Sequence, residues 1–273
     1  VADKAAKYDL DVYQTEWSML DKEPSTSAGF PASYDAASYM DIALYMGKLI
    51  HCDLTFGNMA AWSYWTTFAQ EKWSQKNRFY LLRLNAKGDT GNESYGDIAN
   101  GGTVTDNANL WVLGNYSRFI RPGYRRIGHT TNQSESLNKL MGSAYMAPDG
   151  KRIVVVYVNM GAATGVNLNV EGQTAAKQIS LYRTSATENL KHIAETYTLG
   201  ERIMIPQKSV STFVIDFGEG ETGIEGIHAD KTAAARNNNV YTLDGQLVRT
   251  DAHQLEGLNS GVYILNGNKI LIK

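Results

Sequence analysis

The chain has 273 residues, of which 43% are hydrophobic and 20% charged, and its formal net charge is -2. This length allows two domains, and the nearly balanced charge argues against the basic face that a nucleic-acid partner or an anionic membrane surface would need. No run of 18 or more apolar residues occurs, so we expect no membrane span, and the single cysteine, Cys52, excludes an internal disulfide.

The first 66 residues show the pattern of a strand–helix–strand unit. Alternating side chains over residues 8–16 predict a strand that ends at Glu16, and a loop rich in Pro, Ser and Gly follows. Small and apolar residues recur at helical spacing over residues 36–50, and residues 59–66 predict a second buried strand. This order favours two parallel strands of an α/β fold.

The next segment contains no further unit of that kind. It has a possible strand at residues 78–84, a stretch rich in Gly, Asn and Asp at 88–109, and an apolar helix at 110–120 that Pro122-Gly123 ends. Two parallel strands cannot close a barrel, which needs about 250 residues. If this segment belongs to a barrel, most of that barrel is missing from the chain.

After residue 123 the sequence predicts short antiparallel strands. Pro148-Asp149-Gly150 has the composition of a turn, and the strands are expected at regular spacing, as in a β-sandwich. The predicted strands are residues 143–146, 153–158, 165–170, 178–183, 195–199, 202–205 and 211–217.

The last 56 residues read as a linker at 218–239 and a small β-hairpin tail at 240–273, where Asp244-Gly245 and Asn266-Gly267 are hairpin turns. The expected fold is therefore α/β plus all-β: the C-terminal part of a TIM barrel at 1–123, a β-sandwich at 124–217, and the linker and tail. We expect an isolated 1–120 piece to be unstable without the missing barrel portion, whereas 124–217 should fold alone.

Three stretches together resemble glycoside hydrolase family 30. They are Tyr13-Gln-Thr-Glu-Trp-Ser18, Ala61-Trp-Ser-Tyr-Trp-Thr66 and Leu113-Gly-Asn-Tyr-Ser-Arg-Phe-Ile-Arg-Pro-Gly123. The resemblance implies a (β/α)8 barrel fused to a β-sandwich and hydrolysis with retention of anomeric configuration. Within the family, the third stretch looks most like the endo-β-1,6-galactanase branch.

The resemblance implies that Glu16 is the catalytic nucleophile at the end of barrel strand seven. A retaining glycosidase needs two carboxyl groups about 5–5.5 Å apart, and the mouth of a barrel lies at the C-terminal strand ends. The local pattern alone favours a surface acid at a strand end, and the family resemblance reverses that preference. The family's proton donor is a Glu after an Asn at the end of strand four. Asn92-Glu93 follows no predicted strand, so we reject it and expect this chain alone to be inactive.

Three tryptophans are candidates for substrate binding. The resemblance places Trp65 at the subsite where the sugar is distorted, and an indole face suits the C–H side of a pyranose. Alternation along the strand puts Trp65 on the face of Ala61 and Ser63, and Trp62 on the opposite face, where a role in core packing is the alternative. Trp17 fits a wall of the mouth and a packing residue at its rim equally well.

The remaining features indicate no cofactor. The five histidines, at positions 51, 129, 192, 228 and 253, have no metal-ligand spacing, so no metal site is predicted. The tail from Val240 is similar to the C-terminal secretion domains of Bacteroidetes exported proteins, which implies a secreted, periplasmic or cell-surface protein. A noncatalytic carbohydrate-binding or surface-attachment module is the alternative function, and the carbohydrate itself stays open.

Overall fold

The computed structural model describes residues 1–19, 37–68, 77–86, 101–132, 136–218, 239–242, 247–250, 258–265 and 268–272. The chain divides into two compact units, Val1–Glu221 and Thr222–Lys273.

The helices are α1 (Ala2–Lys7), α2 (Tyr39–Thr55) and α3 (Ala108–Ser117), with a 3₁₀ turn at Asn77–Phe79. The strands of the first unit are β1 (Tyr13–Trp17), β2 (Ala61–Tyr64), β3 (Leu82–Ala86), β4 (Gly102–Asp106), β5 (Arg125–Ile127), β6 (Leu140–Met146), β7 (Arg152–Asn159), β8 (Thr164–Asn167), β9 (Gln178–Ser185), β10 (Glu188–Ile193), β11 (Arg202–Ile205) and β12 (Ser209–Asp216).

The predicted strand–helix–strand unit is present, because β1 and β2 pair in parallel across α2. Helix α2 begins with a capping box in which Ser38 and Asp41 satisfy each other's backbone N–H groups. The first strand spans Tyr13–Trp17 and is therefore shorter than the predicted 8–16, and the short helix α1 precedes it. That these two strands belong to a TIM barrel stays a prediction.

The β-sandwich is confirmed. Its main sheet has six antiparallel strands in the order β10-β9-β12-β7-β6-β5, and β8 pairs with β11 in a separate two-stranded sheet. Ile153, Val155, Phe213 and Ile215 on one face of the main sheet share a core with residues of the smaller sheet such as Ile203.

The opposite face of the main sheet is covered by α2 and α3. Val154, Val156 and Val158 of β7 share a core with residues of both helices, including Ile42 and Val112. The central strands are therefore buried on both faces, which explains the continuous apolar run of β7.

This shared core argues against the expectation that 124–217 should fold alone. Ile42, Ala43 and Met46 of α2 are fully buried, and the helix and the sandwich sheet cover each other. The barrel segment and the sandwich form one compact unit, so the predicted division at residue 123 remains a division of regions rather than of separately packed bodies.

Two predicted strands in this unit were wrong in position. Residues 77–79 form a 3₁₀ turn, and strand β3 follows at Leu82–Ala86. Residues 195–199 are not a strand; the strand lies at Glu188–Ile193 and pairs with β9.

The second unit contains a four-stranded antiparallel sheet instead of a simple hairpin. Its strands are β13 (Val240–Thr242), β14 (Leu247–Arg249), β15 (Gly261–Leu265) and β16 (Asn268–Ile272), in the order β14-β13-β15-β16. The predicted turn dipeptides at 244–245 and 266–267 lie outside the described residues, as does most of the predicted linker.

Candidate active site

Glu16 is exposed at the C-terminal end of β1 because of an irregularity in the strand. Gln14 pairs with Trp62 and Trp17 with Tyr64, so three steps along β1 match two along β2. With regular alternation, Glu16 would lie on the inner face with Gln14. The extra residue reverses this, and Glu16 faces outward while Trp17 faces inward.

Trp65 lies at the same edge of this two-stranded sheet. Its backbone N–H donates a hydrogen bond to the carbonyl oxygen of Trp17 at 2.8 Å, and its side chain is 50% exposed. The peptide bond that follows it is cis. The structure therefore brings the ends of β1 and β2 together, with an exposed carboxylate and an exposed indole on neighbouring strands.

Trp17 and Trp62 support this edge from the inner face. Their rings lie 6.0 Å apart, and Tyr64 lies within 6.2 Å of both. The indole N–H of Trp62 donates to a carboxylate oxygen of Asp53 at 2.9 Å, and the hydroxyl of Tyr64 donates to the carbonyl oxygen of Phe79. These contacts fit the packing alternative for Trp62 and for Trp17; direct sugar contact by either stays a prediction.

Three described carboxylates of residues 1–123, namely Asp11, Asp41 and Asp53, have other partners. Asp53 accepts from Trp62, Asp11 accepts from the hydroxyl of Tyr13 at 3.3 Å, and Asp41 is bound to Ser38 and to Lys208 at 2.9 Å. Burial alone would raise the pKa of Asp41, but the hydrogen bond from Lys208, the hydrogen bonds from Ser38 and the charge of Lys208 hold it below its usual value. None of these three groups is placed as a partner for Glu16, and the rejected Asn92-Glu93 lies outside the described residues.

Three cavities among the described residues lie at or beside the sandwich, and Glu16 lines none of the three. The described residues contribute two strands to this parallel sheet, and Tyr13 on the outer face of β1 is 54% exposed. Sequence reasoning missed the cavity between α2 and the sandwich, whose histidines are far apart in the chain.

In the described part of the chain, no group of three or more His, Cys, Asp or Glu side chains has the arrangement of a metal site. No described helix is long and apolar enough to cross a membrane.

Both regions of the first unit match models of known protein families. Residues 1–77 match a model described as O-glycosyl hydrolase family 30, and residues 123–213 match the glycosyl hydrolase family 30 beta sandwich domain. Together the two matches cover more than half of the chain, in the order that the sequence resemblance predicted. The chain belongs to glycoside hydrolase family 30.

Curated relatives cover only part of this family 30 chain. Glucuronoxylanase XynC from Bacillus subtilis strain 168 is 32% identical over 126 residues, which are 45% of this chain and 28% of that protein. A second Bacillus subtilis glucuronoxylanase XynC is 27% identical over 176 residues, 63% of this chain and 34% of the relative. The matched region thus spans about a third of each relative.

Solved structures agree on the fold. A conserved exported protein from Bacteroides fragilis superposes with a TM-score of 0.60 and 26% identity, covering 77% of this chain and 40% of that one. The GH30 endoxylanase from Clostridium papyrosolvens C71 superposes with a TM-score of 0.53 at 23% identity, covering 78% and 44%. The family 30 chain therefore shares its fold with less than half of each larger protein.

Proposed function

We propose that this chain is the C-terminal part of a retaining β-glycosidase in which Glu16 is the nucleophile. The observation that carries the proposal is the edge where β1 and β2 end: an outward-facing carboxylate lies on one strand and a half-exposed indole on the next. A carboxylate that attacks an anomeric carbon and an aromatic surface under the sugar ring are the two groups that such an edge supplies.

The acid/base carboxyl belongs, in this proposal, to the barrel portion that precedes the chain. Three of the described carboxylates, Asp11, Asp41 and Asp53, are engaged by Tyr13, by Ser38 and Lys208, and by Trp62. Double displacement needs a second group that first donates a proton and later activates water. The chain alone is therefore expected to be inactive, and the missing barrel portion is its expected partner.

The substrate is a β-linked polysaccharide or oligosaccharide. Two candidates have separate support: β-1,6-galactan from the resemblance of residues 113–123, and xylan from the glucuronoxylanase and endoxylanase names of the relatives. A noncatalytic carbohydrate-binding or surface-attachment module is the alternative function, because the described residues form an extensive sandwich and only two strands of the parallel sheet.

Export is proposed on two grounds. The fold neighbour from Bacteroides fragilis is described as an exported protein, and the four-stranded sheet of the second unit occupies the region that resembles a secretion domain. Periplasmic, cell-surface or secreted location follows from this proposal and is tested by fractionation of the native host.

The test of the nucleophile uses a protein that carries this chain together with the preceding barrel portion. Incubation with 2-deoxy-2-fluoro glycosides of xylobiose and of β-1,6-galactobiose should label Glu16, and peptide mass mapping locates the adduct. Glu16→Gln should lower kcat by at least about 10³-fold. Azide added to Glu16→Ala should restore turnover and give a glycosyl azide of inverted configuration.

Asp11→Asn is the matched control, because Asp11 is also an exposed acid on the segment that leads into β1. It should retain normal labelling and turnover. Labelling of a different carboxylate, or full activity in Glu16→Gln, would remove the nucleophile assignment and leave the noncatalytic module as the better hypothesis.

A further inference from the structure

A cavity of about 250 Å³ lies between the C-terminal end of α2 and the main sheet of the sandwich. Helix α2 contributes His51 and the residue at its end, Phe56, while β6 and β7 contribute Gly142 and Tyr157. We call it the His51 cavity. Neither Glu16 nor Trp65 lines it.

The imidazole of His51 is a buried polar group that lacks a partner. The residue is only 5% exposed, and its Nδ1 atom is shielded from solvent without a hydrogen bond. Among the described residues, no group hydrogen-bonds either ring nitrogen. A buried, unpaired polar group costs about 1–3 kcal/mol, so a ring of this kind at a cavity wall indicates a missing hydrogen-bonding ligand.

On the opposite wall, the glycine at position 142 makes room for two rings, those of His129 and Tyr157. His129 lies against β6, where its Nε2 is 3.2 Å from the hydroxyl oxygen of Tyr157. A Cβ atom at Gly142 would lie 2.5 Å from Cε1 of His129 and 2.7 Å from Cε1 of Tyr157, so only glycine lets both rings lie where they do. His129 and Tyr157 therefore present an imidazole and a phenol above Gly142, the position of β6 that has no side chain.

The described lining carries no carboxylate, ammonium or guanidinium group. Burial, with a smaller effect from the nearby His129, lowers the pKa of His51 to about 4, so its ring is neutral at pH 7. Burial also raises the pKa of Tyr157 to about 12, so its hydroxyl stays protonated. The described lining includes the hydroxyl groups of Thr131 and Ser136 and no Asp, Glu, Lys or Arg.

Apolar groups surround the mouth. Phe56 is 62% exposed and meets the His51 ring edge-on with centroids 6.1 Å apart, and Leu137 is 40% exposed. The amino group of Lys48 donates to the side-chain oxygen of Asn138 at 2.8 Å, which fixes the segment carrying Leu137 against α2. Hydroxyl and imidazole groups inside with a phenyl ring at the rim suit a ligand that has hydroxyls along its edge and a C–H face.

We infer that the His51 cavity binds one ring of a neutral saccharide, at a site separate from the edge that holds Glu16 and Trp65. Its volume is slightly below the range of ~300–1,000 Å³ typical of small-molecule sites, so a single ring enters and the rest of the glycan extends past Phe56. A ligand hydroxyl then provides the hydrogen-bond partner that His51 lacks. The site would hold the glycan on the sandwich while another part of it reaches the barrel edge.

The test is an NMR titration of the 273-residue chain with xylotetraose, β-1,6-galactotetraose and a uronic-acid-substituted xylotetraose. The Cε1–H signals of His51 and His129 are the readout, and His51→Gln assigns the first. At least one neutral tetrasaccharide should give saturable shifts. Phe56→Ala should weaken that binding about tenfold and Leu137→Ala about threefold, since both side chains are exposed and can be removed without opening the core.

Tyr8→Ala is the matched control, because this ring is 66% exposed and does not line the cavity; it should leave binding unchanged. Equal loss in Tyr8→Ala and Phe56→Ala, absence of histidine shifts with both neutral probes, or tighter binding of the uronic-acid probe would each overturn the inference. Glu16→Gln should retain the histidine shifts, so failure of the nucleophile assignment and failure of this site are distinguishable.

Discussion

The backbone N–H of Trp65 donates to the carbonyl oxygen of Trp17 at 2.8 Å, immediately beyond the last residue of β2. This bond ties the strand that presents Glu16 to the strand that presents the exposed indole. Trp62 within β2 and Trp65 just beyond its end have different expected roles, one in packing and one at the surface.

Substitution should separate these roles. Trp62→Ala removes a ring packed on Trp17 and the hydrogen bond to Asp53, so the free energy of unfolding should fall by about 3 kcal/mol. Trp65→Ala removes a half-exposed ring and should change it by less than about 1 kcal/mol. Urea unfolding of the two variants measures the difference. In the barrel-complete protein, Trp65→Ala should also lower kcat/KM on polysaccharide; equal destabilisation by both would contradict the assignment.

Replacement of two helical glycines, Gly47 and Gly114, by alanine should have opposite effects on the free energy of unfolding. A Cβ at Gly47 of α2 would lie 3.0 Å from Cγ1 of Val112, which is fully buried and, as a β-branched residue, stiff. Overpacking should outweigh the helix-propensity gain of about 1 kcal/mol, so Gly47→Ala should destabilise the chain by about 1 kcal/mol.

Gly114→Ala is the matched variant in α3. Its nearest neighbour would be the terminal Cδ2 of Leu190 at 3.3 Å, which a flexible side chain can move. This variant should be neutral or stabilising by up to about 1 kcal/mol. Thermal unfolding of both proteins checks the pair, and destabilisation by Gly114→Ala of the same size as by Gly47→Ala would show that the close contact between α2 and α3 is unimportant.

The free energy of unfolding should depend on pH through His51. Its pKa is about 4 in the folded chain, because of burial and then the charge of His129, and about 6.5 when unfolded. Above pH 6.5 the ring is neutral in both states. As the pH falls from 6.5 to 4, His51 binds a proton in the unfolded chain but stays neutral in the folded chain. The free energy of unfolding therefore falls by up to about 1.4 kcal/mol per pH unit.

Urea unfolding at pH 7, 6 and 5 measures this slope. His51→Gln should remove most of it, whereas the same change at the exposed His192 should leave it in place. The hydrogen bond to Arg183 lowers the pKa of Glu188 below its ordinary value of 4.5, so the stability that this carboxylate contributes is lost only in the more acidic range below that value. An unchanged slope in His51→Gln would mean that this histidine is hydrated in the folded state.

Asn115 joins α3 to the sandwich through buried hydrogen bonds. Its side-chain nitrogen donates to the hydroxyl of Thr184 at 2.6 Å, and its side-chain oxygen accepts from the hydroxyl of Thr212 at 2.9 Å. Asn115→Asp replaces a buried donor with an acceptor and should cost about 3 kcal/mol or more, while Thr212→Val should cost about 1 kcal/mol. A double-mutant cycle by urea unfolding should show coupling between the two sites; additivity would contradict a direct bond.

The sequence predicted the parallel pairing of β1 and β2 and most sandwich strands, because alternation and β-branched runs such as that of β7 are local signals. It did not reveal that α2 packs under the sandwich, since a helix that is buried on most sides has the same apolar spacing whatever covers it. The bulge that turns Glu16 outward was also invisible: periodicity from Gln14 places Glu16 on the wrong face. The His51 cavity unites residues 51, 129 and 157, and no local pattern connects them.

The helices that cover β7 have a consequence for engineering. Val154, Val156 and Val158 would face water if the chain were cut at residue 123, so an isolated 124–217 fragment is expected to self-associate rather than remain monomeric. For the same reason, a chimera that grafts this sandwich onto another barrel should be soluble only when α2 and α3 are transferred with it. The sandwich can be transferred to another protein only together with the two helices that cover it.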